Sequence, residues 1–486
     1  MLVSYFAPNF VLIAGSSATL ESTPRPAPLS AEAFWKQLPL ATVDGNVLRL
    51  AGGTTFLGSS KLPGFMYIRD DYVGLWSEIQ GQVSSGLSRI VISGNPGIGK
   101  SWFGLYIAYQ LLSRRQRPTI VWEARLSGTR TLIRNGQVLE GSLEDFRAEL
   151  GDASTWYLVD ESVYPGPWRV EATTLVFSSP KRDNYRLLLK APASTTRYLP
   201  PWSWEEIEAC RSLLYADDPG RPASEVRAAY ERWGGIPRYV LEKLADRSAQ
   251  LELSRALSVK NVEKVLDSVG EIDTAPEGSH RLLHIVTSAP YVDTSVEFGS
   301  DYIRGRATEI LLRRQRAELS YFVSRETDPL FAKLRGDCFE VLAHEKLAAG
   351  GEFPTRLLTG PAGSNIRSLP CATLRRFSGK KPDNLAPLCG LPAGTYCRPL
   401  IGSFPVIDAL ISPGMLLQMT VSERHGVDEA KLGQILVALG LDSAELVFVV
   451  PPDKFDGFAA YKFKNAALGM RITQLALCVS FDVVIN

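Results

Sequence analysis

The sequence has few of the residues on which disulfide frameworks and metal clusters depend. Its 486 residues include six cysteines and four histidines, and no two cysteines form a CxxC pair. This spacing argues against a structural zinc site and a disulfide framework, and it is typical of a reducing compartment. A His-rich metal site is not expected either, because the sequence has only four histidines, His280, His284, His344 and His425.

Long hydrophobic runs and a charge excess are also missing. No run of about 18 apolar residues occurs, so we predict no membrane-spanning helix. The 53 basic and 52 acidic residues leave a net charge of +1, so binding to nucleic acid would depend on a local patch. The mildly apolar N-terminus lacks a basic start and is interrupted by Pro8 and Asn9, which favours a leader over a signal peptide.

The hydrophobic pattern predicts an α/β protein of several domains. Short apolar strands alternate with helices from Ile90 to Phe177, as in a parallel sheet. The last part repeats an α/β pattern after a Gly-, Pro- and Ser-rich loop at 359–403. We predict a leader with short strands, which include Thr55–Leu57 (1–60), an α/β core (61–200), a helical lid (201–275), a helical connector (276–333) and a C-terminal α/β domain (334–486).

A phosphate-binding loop follows the first strand of the core. The pattern GxxxxGK[ST] lies between an apolar strand and a helix, where successive backbone N–H groups and the helix N-terminus bind phosphate oxygens. Lys100 is predicted to contact the β- and γ-phosphates, and the Ser101 hydroxyl to ligate Mg²⁺. The motif therefore predicts ATP and Mg²⁺ at Gly94, Asn95, Pro96, Gly97, Ile98, Gly99, Lys100 and Ser101.

Two acids after a later strand complete this predicted site. Asp160 and Glu161 follow the apolar segment 156–159, at the strand end where ligands of parallel sheets bind. We predict that Asp160 holds Mg²⁺ and that Glu161 orients or deprotonates the attacking water. Weaker candidates are Ser178 or Ser179 as a γ-phosphate sensor, Arg238 as a nucleotide contact at a helix start, and Arg182 as an arginine finger.

A second constellation is predicted near the C-terminus. With the turn centred on Pro413, Asp408 lies opposite Gln418 in a hairpin, and Thr420 shares their face. The order αβββαβ resembles restriction-endonuclease-like nucleases, which use Asp plus (Asp/Glu)-x-Lys around Mg²⁺ and often a Glu from the first helix. That resemblance implies Asp408 and Gln418 as metal ligands and Glu340 as the helical acid. Gln418-Met419-Thr420 lacks the lysine, whose role Lys431 or His425 would take.

The loop before the hairpin is basic. A flexible basic loop beside carboxylates is what a phosphodiester substrate would need, and a solvated loop is the alternative. It contains Arg367, Arg375, Arg376, Lys380, Lys381 and Arg398 against the one acid Asp383, with Phe377 and Tyr396 interleaved.

An ordered series of segments resembles the Crinkler effectors of oomycetes and fungi and the retrotransposon hot spot proteins of trypanosomes. The resemblance covers roughly residues 50–486. It implies a P-loop ATPase joined to a nuclease-like domain, secretion, and action on DNA in a host nucleus, although no LxLFLAK-like motif occurs. The segments are 92–101, 158–160, 177–180, 199–203, 234–240, 339–351, 418–422, Asp408 and His425.

Two functions fit these features. The first is an enzyme that hydrolyses ATP with Mg²⁺ and has a C-terminal domain that binds DNA and either cleaves it or only holds it. The second is an ATP-switched scaffold, in which an inactive nuclease-like domain binds nucleic acid or a host protein. A P-loop kinase for a small molecule is a weaker third reading, and the sequence leaves homo-oligomer formation open.

Overall fold

We describe the protein from a computed structural model that covers residues 23–124, 130–160, 170–180, 185–258, 261–262, 279–314, 316–359, 363–370, 373–377, 381–399, 404 and 406–481. The strands are β1 Arg25–Pro26, β2 Thr42–Asp44, β3 Val47–Arg49, β4 Phe65–Tyr67, β5 Arg89–Ser93, β6 Ile120–Ala124, β7 Arg130–Arg134, β8 Gln137–Gly141, β9 Trp156–Asp160, β10 Thr173–Phe177, β11 Ser194–Tyr198, β12 Leu283–Thr287, β13 Thr294–Phe298, β14 Gly351–Leu357, β15 Ser364–Leu369, β16 Leu374–Phe377, β17 Tyr396–Pro399, β18 Ala409–Ile411, β19 Met415–Met419, β20 Ala444–Val450 and β21 Ile472–Cys478. The helices are Leu29–Gln37, Asp70–Ser84, Lys100–Leu112, Arg147–Leu150, Arg186–Leu189, Trp204–Leu214, Ala223–Trp233, Arg247–Ala256, Asp301–Arg314, Arg316–Arg325, Ala332–Ala349, Glu429–Ala438, Pro452–Phe455 and Ala466–Met470.

The first large sheet has eight strands in the order β1-β8-β7-β6-β9-β10-β5-β11. The last five strands of this order, β6-β9-β10-β5-β11, are parallel to one another. Runs such as Ile90-Val91-Ile92 are fully buried because helices cover both faces, as parallel sheets require. Strand β10 lies between β5 and β9, and Phe177 is in register with both Ile92 and Asp160. The strand end that carries Asp160 is therefore near the end of β5 but not directly beside it.

Some elements differ from the local sequence pattern. The predicted strand at Thr55–Leu57 is wrong, since Phe56–Gly58 forms a 3₁₀ helix in which Leu57 adopts a φ of 53°. The segment predicted as a helical connector also contains the antiparallel pair β12 and β13, from Leu283 to Phe298. Their five-residue runs are too short to stand out in a sequence dominated by the helices around them.

The second large sheet has the order β15-β14-β21-β20-β19-β18-β17-β16. The predicted hairpin register is confirmed, because Ala409 pairs with Leu417 and Ile411 with Met415 around the turn at Pro413. The predicted loop at 359–403 is wrong: it contains β15, β16, β17 and a 3₁₀ helix, Pro382–Leu388. Exposed basic residues and four-residue strands hide these elements from a periodicity argument.

The predicted strand near 353–358 is β14, which precedes the hairpin in the chain as in the αβββαβ order. In the sheet, however, β14 pairs with β15 and β21. The strand beside the hairpin is β17, which lies antiparallel to β18. The chain is therefore a mixed α/β protein whose first large sheet has a parallel centre.

A continuous apolar cluster extends across the molecule. It includes Ile92 of the first sheet, Phe298 of the β12–β13 pair, Phe339 of the helix Ala332–Ala349 and Leu417 of the second sheet. The two sheets are therefore packed through the intervening hairpin and helices. None of the helices in the described ranges combines the length and apolarity that membrane crossing requires.

Candidate nucleotide site and carboxyl-terminal cleft

The glycine turn after β5 depends on backbone conformations that favour glycine. Gly94, Gly97 and Gly99 have φ angles of 139°, 85° and 101°. A Cβ on Gly94 would lie 2.6 Å from the carbonyl oxygen of Leu199, and one on Gly97 would lie 2.9 Å from Cβ of Arg238. Any side chain at either position would collide with the wall of the turn, which explains why the sequence places glycine there.

The turn brings together three of the predicted site residues. The buried Lys100 ammonium donates to the carbonyl oxygens of Gly94 at 2.8 Å and Asn95 at 2.9 Å. Ser101 Oγ donates to Asp160 Oδ1 at 2.8 Å, so the predicted Mg²⁺ ligands are neighbours. Hydroxyl and carboxylate oxygens are donors that Mg²⁺ accepts, so this pair fits the ion.

Side chains from outside the motif hold the turn. The Tyr72 hydroxyl donates to the carbonyl of Gly99 at 2.8 Å, and Trp202 Nε1 donates to the carbonyl of Ile98 at 2.8 Å. The turn is thereby fixed from two further elements. Sequence reasoning missed both residues, because an aromatic side chain gives no motif signal when its partner is a backbone carbonyl.

Asn95 has a role that the motif did not predict. Its Nδ2 donates to the carbonyls of His280 at 3.0 Å and Leu283 at 2.8 Å, and its Oδ1 accepts from the backbone N–H of Ile285 at 2.7 Å. The fully buried side chain thus joins the phosphate-binding loop to β12. Burial and the nearby Lys100 charge lower the pKa of His280 to about 4.

The structure describes some of the weaker nucleotide-site candidates, and others lie outside the described residues. Arg238 packs on Gly97, and its backbone N–H donates to the Gly97 carbonyl at 3.4 Å. Ser178 is buried at the end of β10, between β5 and β9, while the neighbouring Ser179 is half-buried. Glu161 and Arg182 lie outside the described residues, so their predicted roles stay predictions.

The C-terminal hairpin places Asp408 beside β19. Its Oδ2 accepts a hydrogen bond from the N–H of Met419 at 2.6 Å. Burial and the charge of Glu340 raise the pKa of Asp408 to about 7. Gln418 is buried, and its Oε1 has no hydrogen-bond partner among the described residues, which leaves an acceptor available to a ligand or cation.

A histidine and a tyrosine that the sequence did not predict as site residues adjoin Glu340. His344 Nε2 lies 3.6 Å from Glu340 Oε1, and its Nδ1 lies 2.8 Å from the Tyr396 hydroxyl. Arg304 lies 3.5 Å from Glu340. Burial alone would raise the pKa of Glu340, but His344 and Arg304 outweigh it and lower that pKa. The spacing of Glu340 and His344, four residues apart on one helix, was the available sequence signal.

The C-terminal metal site is less complete than the nucleotide site. In the ranges that the structure describes, no group of three or more His, Cys, Asp or Glu residues could hold a metal. The two predicted substitutes for the missing lysine bind locally, Lys431 to Asp428 at 2.8 Å and His425 to the Gly426 carbonyl at 2.9 Å. Asp408 and Gln418 as metal ligands therefore stay a prediction.

A cleft of about 2000 Å³ is lined by residues from both halves of the chain. From the C-terminal half it is lined by Asp408, Glu340 and His344, together with Arg376 and Arg398. Its lining also includes Gly234 and Gly235, His284 and residues of the helix that starts at Asp301. The C-terminal constellation thus opens into a space that the nucleotide-binding half also borders.

Comparison with solved structures adds nothing beyond these observations. Two point variants of RuvB from Thermotoga maritima are 13% and 14% identical and cover 41% and 40% of this chain and 74% and 73% of their own. Their TM-scores are 0.24 and 0.23, so the backbones do not superpose closely enough to support an assignment.

Comparison with protein sequences finds relatives that match most of the chain. No family model matches the chain. Crinkler effector protein 15 of Phytophthora infestans is 26% identical over 435 residues, which are 87% of this chain and 68% of that protein. Crinkler effector protein 16 of the same organism is 26% identical over 439 residues, 87% of this chain and 67% of that protein. The ordered segments and these two relatives agree, and both support a place for this chain in the Crinkler effector family.

Proposed function

We propose that the N-terminal half binds ATP with Mg²⁺ and hydrolyses it. The observation that carries this proposal is the hydrogen bond of 2.8 Å between Ser101 and Asp160, because it joins the end of the phosphate-binding loop to the acid of β9. Magnesium would neutralise phosphate charge at this pair. The other features that support the site are the buried Lys100 and the three glycines of the turn.

In this proposal the residues of the turn bind and orient the phosphates. The Lys100 ammonium exchanges its bonds to the Gly94 and Asn95 carbonyls for phosphate oxygens, which are stronger acceptors for a cation. Arg238 lies against Gly97 at the mouth of the turn, where it would contact the same phosphate chain. Ser101 and Asp160 are the residues that would hold Mg²⁺.

We further propose that ATP binding is coupled to a C-terminal domain that binds DNA. Asn95 supports the coupling, because a change at the phosphate-binding loop acts directly on β12. Strand β13 follows β12 and leads to Ser300, whose Oγ accepts a hydrogen bond from the backbone N–H of Ile303 at 3.2 Å in the first turn of the next helix. That helix carries Arg304, which lies 3.5 Å from Glu340 in the cleft.

This proposed function has two versions, which differ in whether the C-terminal domain cleaves the DNA. Cleavage is supported by the half-buried Asp408 and by the unpartnered Oε1 of Gln418. A scaffold that only holds nucleic acid or a host protein is supported by the missing lysine and by the raised pKa of Asp408, which reduces its charge near neutral pH. The likeness to Crinkler effectors supports action inside a host cell, and we propose the host nucleus as its place.

Two assays test the proposal. ATP turnover with Mg²⁺ should be lost in Lys100→Ala, and surviving turnover would show that the assignment is wrong. Plasmid cleavage with Mg²⁺ or Mn²⁺ is then compared between the wild type and Asp408→Ala. Metal-dependent cutting that the substitution removes supports the nuclease, whereas DNA binding without cutting supports the scaffold.

A further inference from the structure

The arginines that line the cleft differ in whether a carboxylate neutralises them. Arg227 pairs with Glu231 at 2.9 Å. Arg306 and Arg313 both lie 2.8 Å from Glu309. These side chains are ion-paired, so they offer little positive charge to a ligand.

Arg376 and Arg398 are arranged differently. They are direct partners in the parallel register of β16 and β17, so their side chains leave the sheet next to each other. Both line the cleft. Within the described part of the chain, no carboxylate oxygen lies within 4.0 Å of either guanidinium, although Glu340 attracts Arg398 from farther away.

This pairing is unfavourable without an anion. Like charges on directly neighbouring strand positions repel each other. Arg398 is half-buried, and burial together with the charge of Arg376 lowers its pKa. A phosphate group between the two guanidinium groups would remove the repulsion and accept paired hydrogen bonds from each of them.

The surroundings decide where such a phosphate can lie. Tyr396 is on the same face of β17 as Arg398, and it fixes His344 on the opposite helix. Glu340 and Asp408 also line the cleft, and a carboxylate repels an anion. A phosphate is therefore favoured beside Arg376 and Arg398 rather than beside these acids.

We propose that Arg376 and Arg398 bind one phosphate group of a nucleic-acid strand that enters this cleft. The inference rests on the proposed nucleic-acid function of the C-terminal domain, and it names two residues that would bind the nucleic acid. A free nucleotide offers the same chemistry, but the cleft is about 2000 Å³, whereas pockets for small ligands are about 300–1000 Å³. A strand fills the space better than a single nucleotide does.

The other basic residues of the segment do not share this arrangement. Arg367 pairs with Glu445 at 2.8 Å. Arg375 alternates to the opposite face of β16, where its register partner is Cys397. Arg375 has the same charge as Arg376 and is the next residue in the strand, so Arg375→Gln is a matched control for Arg376→Gln.

Fluorescence anisotropy with a labelled oligothymidylate tests the proposal on the full chain. Arg376→Gln and Arg398→Gln should each weaken binding about tenfold, and each should reduce the slope of log K against log salt by about one. Arg375→Gln should stay within about twofold of the wild type. Absence of binding by the wild type, no effect of Arg376→Gln, or an equal effect of Arg375→Gln would overturn the proposal.

Two further measurements distinguish a nucleic-acid strand from a free nucleotide, and a loss of binding from a loss of folding. Competition with thymidine monophosphate should require a far higher concentration than competition with unlabelled oligothymidylate, and equal competition would overturn the assignment to a strand. Binding of a fluorescent ATP analogue, measured on the same variants, should be unchanged, which also shows that they are folded. If Lys100→Ala keeps ATP binding, the proposed ATPase fails while the result for the arginine pair stands.

Discussion

Ser101 donates a hydrogen bond of 2.8 Å to Asp160, although β10 separates the strands from which the two residues follow. The two oxygens are close because the parallel strands end at the same edge of the sheet and the glycine turn carries the helix start over that edge. This relationship is specific enough to be tested by substitution.

Replacing Asp160 by Asn should reduce Mg²⁺-dependent ATP turnover by about 10- to 100-fold. The amide keeps the shape of the side chain but removes the charge that a cation needs. Steady-state phosphate release measures the effect. The exposed Asp217 in the same half is the control position, and a similar loss in Asp217→Asn would contradict a specific role for Asp160.

Replacing Asn95 by Ala should destabilise the protein and disconnect its halves. The substitution leaves the buried N–H of Ile285 and the carbonyl of Leu283 without their partner, so we expect the free energy of unfolding to fall by about 2–3 kcal/mol. Denaturant unfolding measures this loss, and hydrogen exchange should show faster exchange at Ile285.

Asn46→Ala is the control for that prediction. The Asn46 side chain donates a hydrogen bond of 2.9 Å to the carbonyl of Ile68. We expect a loss of about 1 kcal/mol. ATP should continue to change oligonucleotide affinity in Asn46→Ala but not in Asn95→Ala, and an ATP effect that survives in both would argue against coupling through β12.

The buried Arg69 should be one of the least replaceable side chains. It donates to Glu206 at 2.7 Å and 3.0 Å, to Asp71 at 2.8 Å and to the Pro200 carbonyl at 3.0 Å. Its removal leaves the carboxylates of Glu206 and Asp71 without their cationic partner, so Arg69→Met should lower the free energy of unfolding by about 3–5 kcal/mol.

Arg25→Met provides the comparison for that substitution. Arg25 pairs with Glu140 at 3.5 Å, but 73% of its side chain is exposed. A pair of this kind contributes about 0–1 kcal/mol. Urea unfolding of the two variants side by side measures the difference, and equal losses would mean that burial does not govern the Arg69 network.

Much of the nucleotide-binding half and the C-terminal hairpin could be predicted from the sequence, because their signals are local. A GxxxxGK[ST] turn, four apolar residues before Asp160 and the hairpin around Pro413 each depend on neighbours in the chain. Asn95 as a link to β12, and Tyr396 as the partner of His344, could not be predicted. Their partners are 52 to 190 residues away, and no periodicity carries that information.

The buried acid Asp337 predicts a pH dependence of stability. Burial raises the pKa of Asp337 to about 6 from its ordinary 3.8, even though Lys333 and Arg304 oppose the shift. The folded protein therefore binds this proton more tightly than the unfolded chain. The stability that the protonated group contributes is present below pH about 4 and is lost as the pH rises to about 6.

Asp337→Asn should remove this dependence. Relative to the variant, the wild type should lose about 2 kcal/mol of unfolding free energy between pH about 4 and about 6 and no more above that range. Denaturant titrations at several pH values measure the difference. Asp442→Asn, at an exposed carboxylate, should follow the wild-type curve, and a wild type that gains stability relative to Asp337→Asn as the pH rises would contradict the assignment.

Calorimetric titration of the intact protein with ATP and Mg²⁺ tests the central claim most directly. The glycine turn, Lys100 and the Ser101–Asp160 pair predict saturable uptake of one ATP per chain, and Lys100→Ala should remove it. A folded wild-type protein that takes up no nucleoside triphosphate in the presence of Mg²⁺ would contradict the account.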